Sequence, residues 1–184
     1  VNADLKITRD KISAVKNKIL RLELQKKSIL DKSLNKDLSG QLDPINEEIL
    51  NKNFDEFIIK MKTFSSDLLR LETEIISMSA DKELIRDQLD IKIKIEKGKK
   101  KLFEKNVGSL MDTLSSTDQR ISVKRQLLTT TGSIEKLKSD KISNADQTAS
   151  YLTGELVGIA QELSSFNDQL LQLNEELIKH ELEK

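Results

Sequence analysis

The chain has no cysteine, which excludes disulfide scaffolds and thiolate metal sites. It has little aromatic content, 3% of 184 residues, and only 36% hydrophobic residues, so a thick globular core is excluded although the length would suffice for one. It has no excess charge of either sign: Lys+Arg and Asp+Glu are equal at 31 each, and no net field draws in nucleic acid or an acidic membrane surface. No apolar run approaches the roughly 20 residues that span a bilayer, and no signal peptide opens the sequence. The chain begins at Val1 and stops within helical sequence at Glu181-Leu182-Glu183-Lys184, which reads as a piece excised from a longer protein.

What is present is a seam. Leu50, Phe54, Phe57, Met61, Phe64, Leu68, Leu71, Ile75 and Met78 alternate steps of four and three. So do Ala145, Ala149, Leu152, Leu156, Ile159, Leu163, Phe166, Leu170, Leu173 and Leu177. An apolar period of 3.5 predicts helices wound left-handedly around each other, and 34% charged residues supply the flanks.

The punctuation predicts three helices in a single domain, 1–184. A stripe at Leu5, Ile12, Val15, Ile19, Leu22 and Ile29 predicts the first, over about residues 4–35. A break follows at Asn35 to Asp43, with a flexible step at Ser39-Gly40. Asp43-Pro44 then reads as an N-cap with proline at the first helical position, and Glu47 and Glu48 suit the helix dipole. The second helix is expected over about 44–105, and Ile91-Lys92-Ile93-Lys94-Ile95, which alternates like a strand, is read as part of it. A tip is expected over about 98–109, between Gly98 and Ser109. Ser109 and Asp112 there have the S-x-x-D spacing of a helix start. The third helix is expected over about 110–182, on the order of 105 Å long, with a bend or frayed turn at Thr129 to Ser133. The fold class is therefore all-α: a long antiparallel coiled-coil helical hairpin with an additional N-terminal helix. That first helix either extends the second collinearly or packs as a third strand at one end.

Catalytic chemistry finds no foothold. The acidic residues fall on exposed heptad positions with no apolar pocket to tune a general acid, and no phosphate loop, nucleophile elbow or basic stripe interleaved with aromatics occurs. His180 is the single histidine and decorates a helix C-terminus. Gly154 and Gly158, spaced by four, read as a narrow packing contact. No metal, cofactor or enzymatic activity is expected.

Three stretches resemble the helical hairpin of HlyD-family membrane fusion proteins, the periplasmic adaptors of type I secretion, in the branch exporting proteases and lipases. They are Leu5-Lys6-Ile7-Thr8-Arg9-Asp10 through Ile19-Leu20-Arg21-Leu22, then Asn51-Lys52-Asn53-Phe54 with Leu68-Leu69-Arg70-Leu71-Glu72-Thr73-Glu74-Ile75, and finally Leu102-Phe103-Glu104-Lys105-Asn106-Val107-Gly108-Ser109 with Asp112 and Leu114. Adaptors of the wider superfamily carry Arg, three residues, Leu, six residues and Ser at the tip. Leu102 and Ser109 match, whereas Gly98 stands at the Arg position with Lys97 and Lys99 beside it.

The resemblance implies that Leu102, Ser109, Asp112, Lys99 and Lys105 meet an outer-membrane channel of the TolC type. It also implies an inner-membrane ABC transporter as partner through parts outside this chain, a homo-oligomeric ring expected to have six members, and a periplasmic location attached to the inner membrane of a Gram-negative cell. The alternative is a generic coiled-coil interaction or tether module. Each tip residue also has a plain structural reading: Ser109 as a helix cap, Leu102 as closure of the seam, and the lysines as a solvated face.

Overall fold

The computed structural model describes residues 2–182 apart from 36, 38 and 39. Among the described residues the chain is all-helical, without a strand, and its three long helices are α1 (Asn2–Asp31), α2 (Pro44–Glu104) and α3 (Leu110–Leu182). The alternating Ile91–Ile95 segment is helical, within α2.

α1 stops short of the expected residue 35. Lys32 adopts a left-handed φ of 51°, and the Ser33 N–H reaches back 3.1 Å to the Ser28 carbonyl, closing the last turn. This ending has no glycine to announce it. Ser39, half of the expected flexible step, lies outside the described residues.

α2 begins where Asp43-Pro44 predicts. Asp43 Oδ1 accepts the Asn46 N–H at 2.9 Å, and Oδ2 accepts the Asn46 side-chain amide at 2.8 Å. The Asp43 carbonyl meanwhile accepts the Glu47 N–H at 2.9 Å, the first bond of the helix. The Asn46 N–H is also the main reason that the Asp43 carboxyl is held below its ordinary value.

α2 runs through Gly98 to Glu104, one residue short of the expected 105, since one interior glycine costs only about 1 kcal/mol against the many bonds of a 61-residue helix. α3 runs unbroken through Thr129–Ser133, where the hydroxyls of Thr129 and Thr131 donate to the carbonyls four residues back and Ile134 buries itself just beyond.

Packing divides the chain into two units. The first comprises Val1–Phe64 and Gln147–Lys184. Leu22, Ile29, Phe57 and Ile159, one or two from each helix, form its buried centre, with Phe54, Met61, Tyr151, Leu156 and Phe166 packed around them. The Phe57 and Tyr151 rings stack at 6.2 Å, and Phe64 approaches Tyr151 at 5.9 Å. This burial raises the Tyr151 phenol, with Glu155 and Glu56 adding to the shift.

The same unit places α1 beside both other helices, as a third packed helix and not a collinear extension. Its contacts to α3 pair Arg9 with Glu181 (3.0 Å), Lys18 with the Phe166 ring (5.2 Å) and Arg21 with Glu162 (4.0 Å), so numbers fall along α3 as they rise along α1. Its contacts to the start of α2 run the other way, both numbers rising: the Asp43 N–H donates to Asn17 Oδ1 at 3.1 Å, and Asn53 Nδ2 to Gln25 Oε1 at 3.2 Å.

The second unit is Ser65–Asp146. Here α2 and α3 touch at Glu72 with Lys141 (2.7 Å), Lys92 with Gln119 (2.8 Å) and Glu96 with both Thr117 (2.7 Å) and Arg120, so from residue 72 to residue 96 the α3 partners fall from 141 to 117–120. Its buried apolar residues are few: Leu71, Ile85, Val123 and Ile134. Thr113, Ser116 and Glu96 are buried beside the ion pairs, so much of this interhelical face is polar.

Along α2 the predicted seam positions from Leu50 to Met78 are all buried or half-buried. The steps of four and three continue through Lys82, Ile85, Leu89 and Lys92 to Glu96. On α3 the seam from Leu152 to Leu177 is buried or half-buried, but Ala145 and Ala149 are exposed. Asn144 and Thr148, one residue earlier in each case, take the covered positions. Methyl side chains carry little apolar signal, and the true face there is polar.

Candidate partner-binding turn

Residues 105–109 join α2 to α3, and the backbone explains why the chain reverses there. Lys105 makes the last α-type bond, to the Lys101 carbonyl at 3.2 Å, and Asn106 then turns left-handed at φ 60°. The Asn106 N–H donates to Phe103 O at 2.9 Å and the Val107 N–H to Leu102 O at 3.0 Å, the paired bonds of a Schellman ending with asparagine in the glycine position. The Gly108 N–H shares the Leu102 carbonyl at 3.1 Å. A Cβ on Gly108 would lie 2.9 Å from the Phe103 nitrogen, so this close approach of turn to helix end requires glycine.

Ser109 precedes the first residue of α3, and its carbonyl accepts the Thr113 N–H at 3.2 Å and the Thr113 hydroxyl at 3.1 Å. Its hydrogen bonds go through the backbone, so the reciprocal side-chain cap that S-x-x-D predicts is not what holds this end. Asp112 is one methylene shorter than the glutamate of a capping box; it is exposed in the first turn, where its charge suits the helix dipole.

Every residue from 97 to 112 is exposed. The five expected contact residues, Lys99, Leu102, Lys105, Ser109 and Asp112, therefore share one solvent-facing end of the second unit. They are not alone there. Phe103, Leu110 and Leu114 are exposed, and Val107 and Met111 are 77% and 73% exposed. Leu102 has two functions in one residue: its carbonyl closes the turn while its side chain stays 47% exposed. Val107 lies within the stretch that resembles the adaptor tip but is not among the expected contacts, and Met111 lies outside it; neither falls on a seam, and an apolar residue off the seam at a helix end is the signal both carry.

Five lysines, at 97, 99, 100, 101 and 105, collar this turn against two carboxylates, Glu104 and Asp112. Of the five, Lys100 is committed inward, 3.0 Å from Glu96.

Several carboxylates depart from the expected exposed positions, Glu72, Glu74 and Glu155 being half-buried, and Glu96 departs furthest. It is 5% exposed and accepts the Thr117 hydroxyl at 2.7 Å and the Arg120 Nε–H. The Thr117 bond, then Lys100, outweigh desolvation, and with Arg120 they hold its pKa down at about 2. A charge pinned this low is a structural fastener between α2 and α3, not a proton donor. Its signal was the heptad register itself, which reaches position 96 with a glutamate where an apolar residue was sought.

Gly154 and Gly158 mark no narrow contact, since a Cβ on either would have nothing within 4 Å. His180 lies half-buried in the last turn of α3. The described residues hold no group of three or more metal-ligating side chains, and none of their helices is long and apolar enough to cross a membrane.

No protein-family model matches the chain. No curated protein matches it either.

Proposed function

We propose that this chain is the coiled-coil helical hairpin of a periplasmic adaptor of type I secretion, bridging an inner-membrane ABC transporter to an outer-membrane channel of the TolC type for protein export. The observation that carries the reading is the turn at 105–109, which is rigidly closed by backbone hydrogen bonds yet leaves all its apolar and basic side chains to solvent. The heptad seam on α2, the opposed numbering of the α2–α3 contacts in the second unit and the residues resembling HlyD-family adaptors all fit the same picture. The working surface is the turn with Lys99, Leu102, Lys105, Ser109 and Asp112, and the full-length protein forms a ring at the inner membrane.

A second reading, a coiled-coil tether that binds partners along its flank, is favoured by the exposed Leu69, Ile76, Leu84 and Ile91 on α2. Deleting residues 97–112 from the gene in its host, with a short glycine-containing turn in their place, separates the two. Loss of export of the host's type I secreted proteins, with the chain still helical by circular dichroism, supports the adaptor. Unchanged export removes it and leaves the tether.

A further inference from the structure

Apolar side chains exposed at a chain reversal need a reason, because a solvated turn is ordinarily polar. This one exposes Leu102, Phe103, Val107, Leu110 and Met111. The turn beneath them is not loose: the doubled bond to the Leu102 carbonyl and the packing of Gly108 against the helix end fix its backbone. Behind it Glu96, Thr117 and Arg120 tie the two helices together. The apolar group is thus presented on a preorganised support, which lowers the entropy cost of binding.

The charges around it restrict what it meets. Lys97, Lys99, Lys101 and Lys105 are exposed, and none has an ion pair among the described residues. A second copy of the same turn would set lysines against lysines, so self-association here is disfavoured. An anionic bilayer would suit the lysines, but Glu104 and Asp112 lie next to Phe103 and Met111, and insertion of the apolar residues would drag both carboxylates into the interface. A protein surface accommodates both signs, since it can place donors opposite two carboxylates and acceptors opposite four lysines.

We infer that the turn is an apolar knob for a protein socket rimmed with carboxylates, in which Val107 and Met111 carry the affinity and the lysine collar sets orientation and rate. This rests on the adaptor reading and specifies the channel surface the adaptor meets: an apolar hollow ringed by Asp and Glu.

The test uses the full chain and, as probe, the host's purified TolC-type channel in detergent, with vesicles of phosphatidylethanolamine and phosphatidylglycerol in parallel. Val107→Asp and Met111→Asp are each expected to weaken channel binding about tenfold or more. Lys99→Glu with Lys101→Glu should slow association and flatten its salt dependence. Leu128→Asp, at an exposed apolar site outside the turn, should leave binding unchanged. Channel binding insensitive to the Val107 and Met111 variants overturns the knob while leaving the adaptor reading standing. Wild-type chain that binds the vesicles and not the channel overturns both.

Discussion

Glu96 on α2 and Arg120 on α3 form a hydrogen-bonded ion pair in which the carboxylate is almost fully covered while the guanidinium keeps partial access to water. The pair lies in a unit whose interhelical face has few buried apolar residues, so it and its Thr117 and Lys100 partners take on a fastening role that hydrophobic contacts fill elsewhere.

Replacing Glu96 by Ala should therefore destabilise the second unit. Arg120 and Thr117 would lose their acceptor, but both Arg120 and Lys100 can turn towards water, which limits the loss to about 1 kcal/mol. Urea unfolding followed by circular dichroism measures it, and Glu135→Ala, at an exposed pair with Lys138, should change little by comparison.

Acid should loosen the same contact. The Glu96 pKa falls from an ordinary 4.5 to about 2 in the folded chain, so its contribution is complete above pH 4.5 and disappears as the pH drops towards 2. Asp43 shifts in the same direction from 3.8 and adds to the acid sensitivity at the start of α2. Thermal unfolding between pH 6 and pH 2 should show a flatter profile for Glu96→Gln than for the wild type. Parallel profiles would mean that the carboxylate is not held as described.

Glycines at two places should respond oppositely. Gly108→Ala forces a Cβ against the Phe103 nitrogen and the Leu102 carbonyl carbon, backbone atoms that cannot swing aside, at a cost of about 1–3 kcal/mol. Gly132→Ala meets nothing and should stabilise α3 by about 0.5–1 kcal/mol. Melting temperatures of the two variants, read side by side, check both signs.

How much of this was legible in the sequence depended on which residues carried a signal. Asp43-Pro44 marked the start of α2 because cap and proline act locally, through one carboxylate and one fixed φ. The seam from Leu50 to Met78 was legible because its side chains are large and apolar. The end of α1 was not, because Lys32 takes a left-handed conformation that a lysine does not advertise. The polar half of the seam was also missed. Glu96, Asn144 and Thr148 occupy covered positions through hydrogen bonds or exact register, and a search for apolar residues slides past them onto Ala145 and Ala149. Where α1 lies depended on long-range pairs such as Asn17 with Asp43, which no periodicity encodes.

The proposed meeting of the 105–109 turn with an outer-membrane channel can be tested inside the cell. The most direct measurement places a photocrosslinking amino acid at position 107, the most exposed apolar site of the turn, in the full-length protein inside its host, and identifies the products after irradiation. A crosslink to the TolC-type channel is expected, and it should disappear when the label is moved to position 128. Irradiated product consisting only of lipid adducts or of other copies of the chain would contradict the proposal.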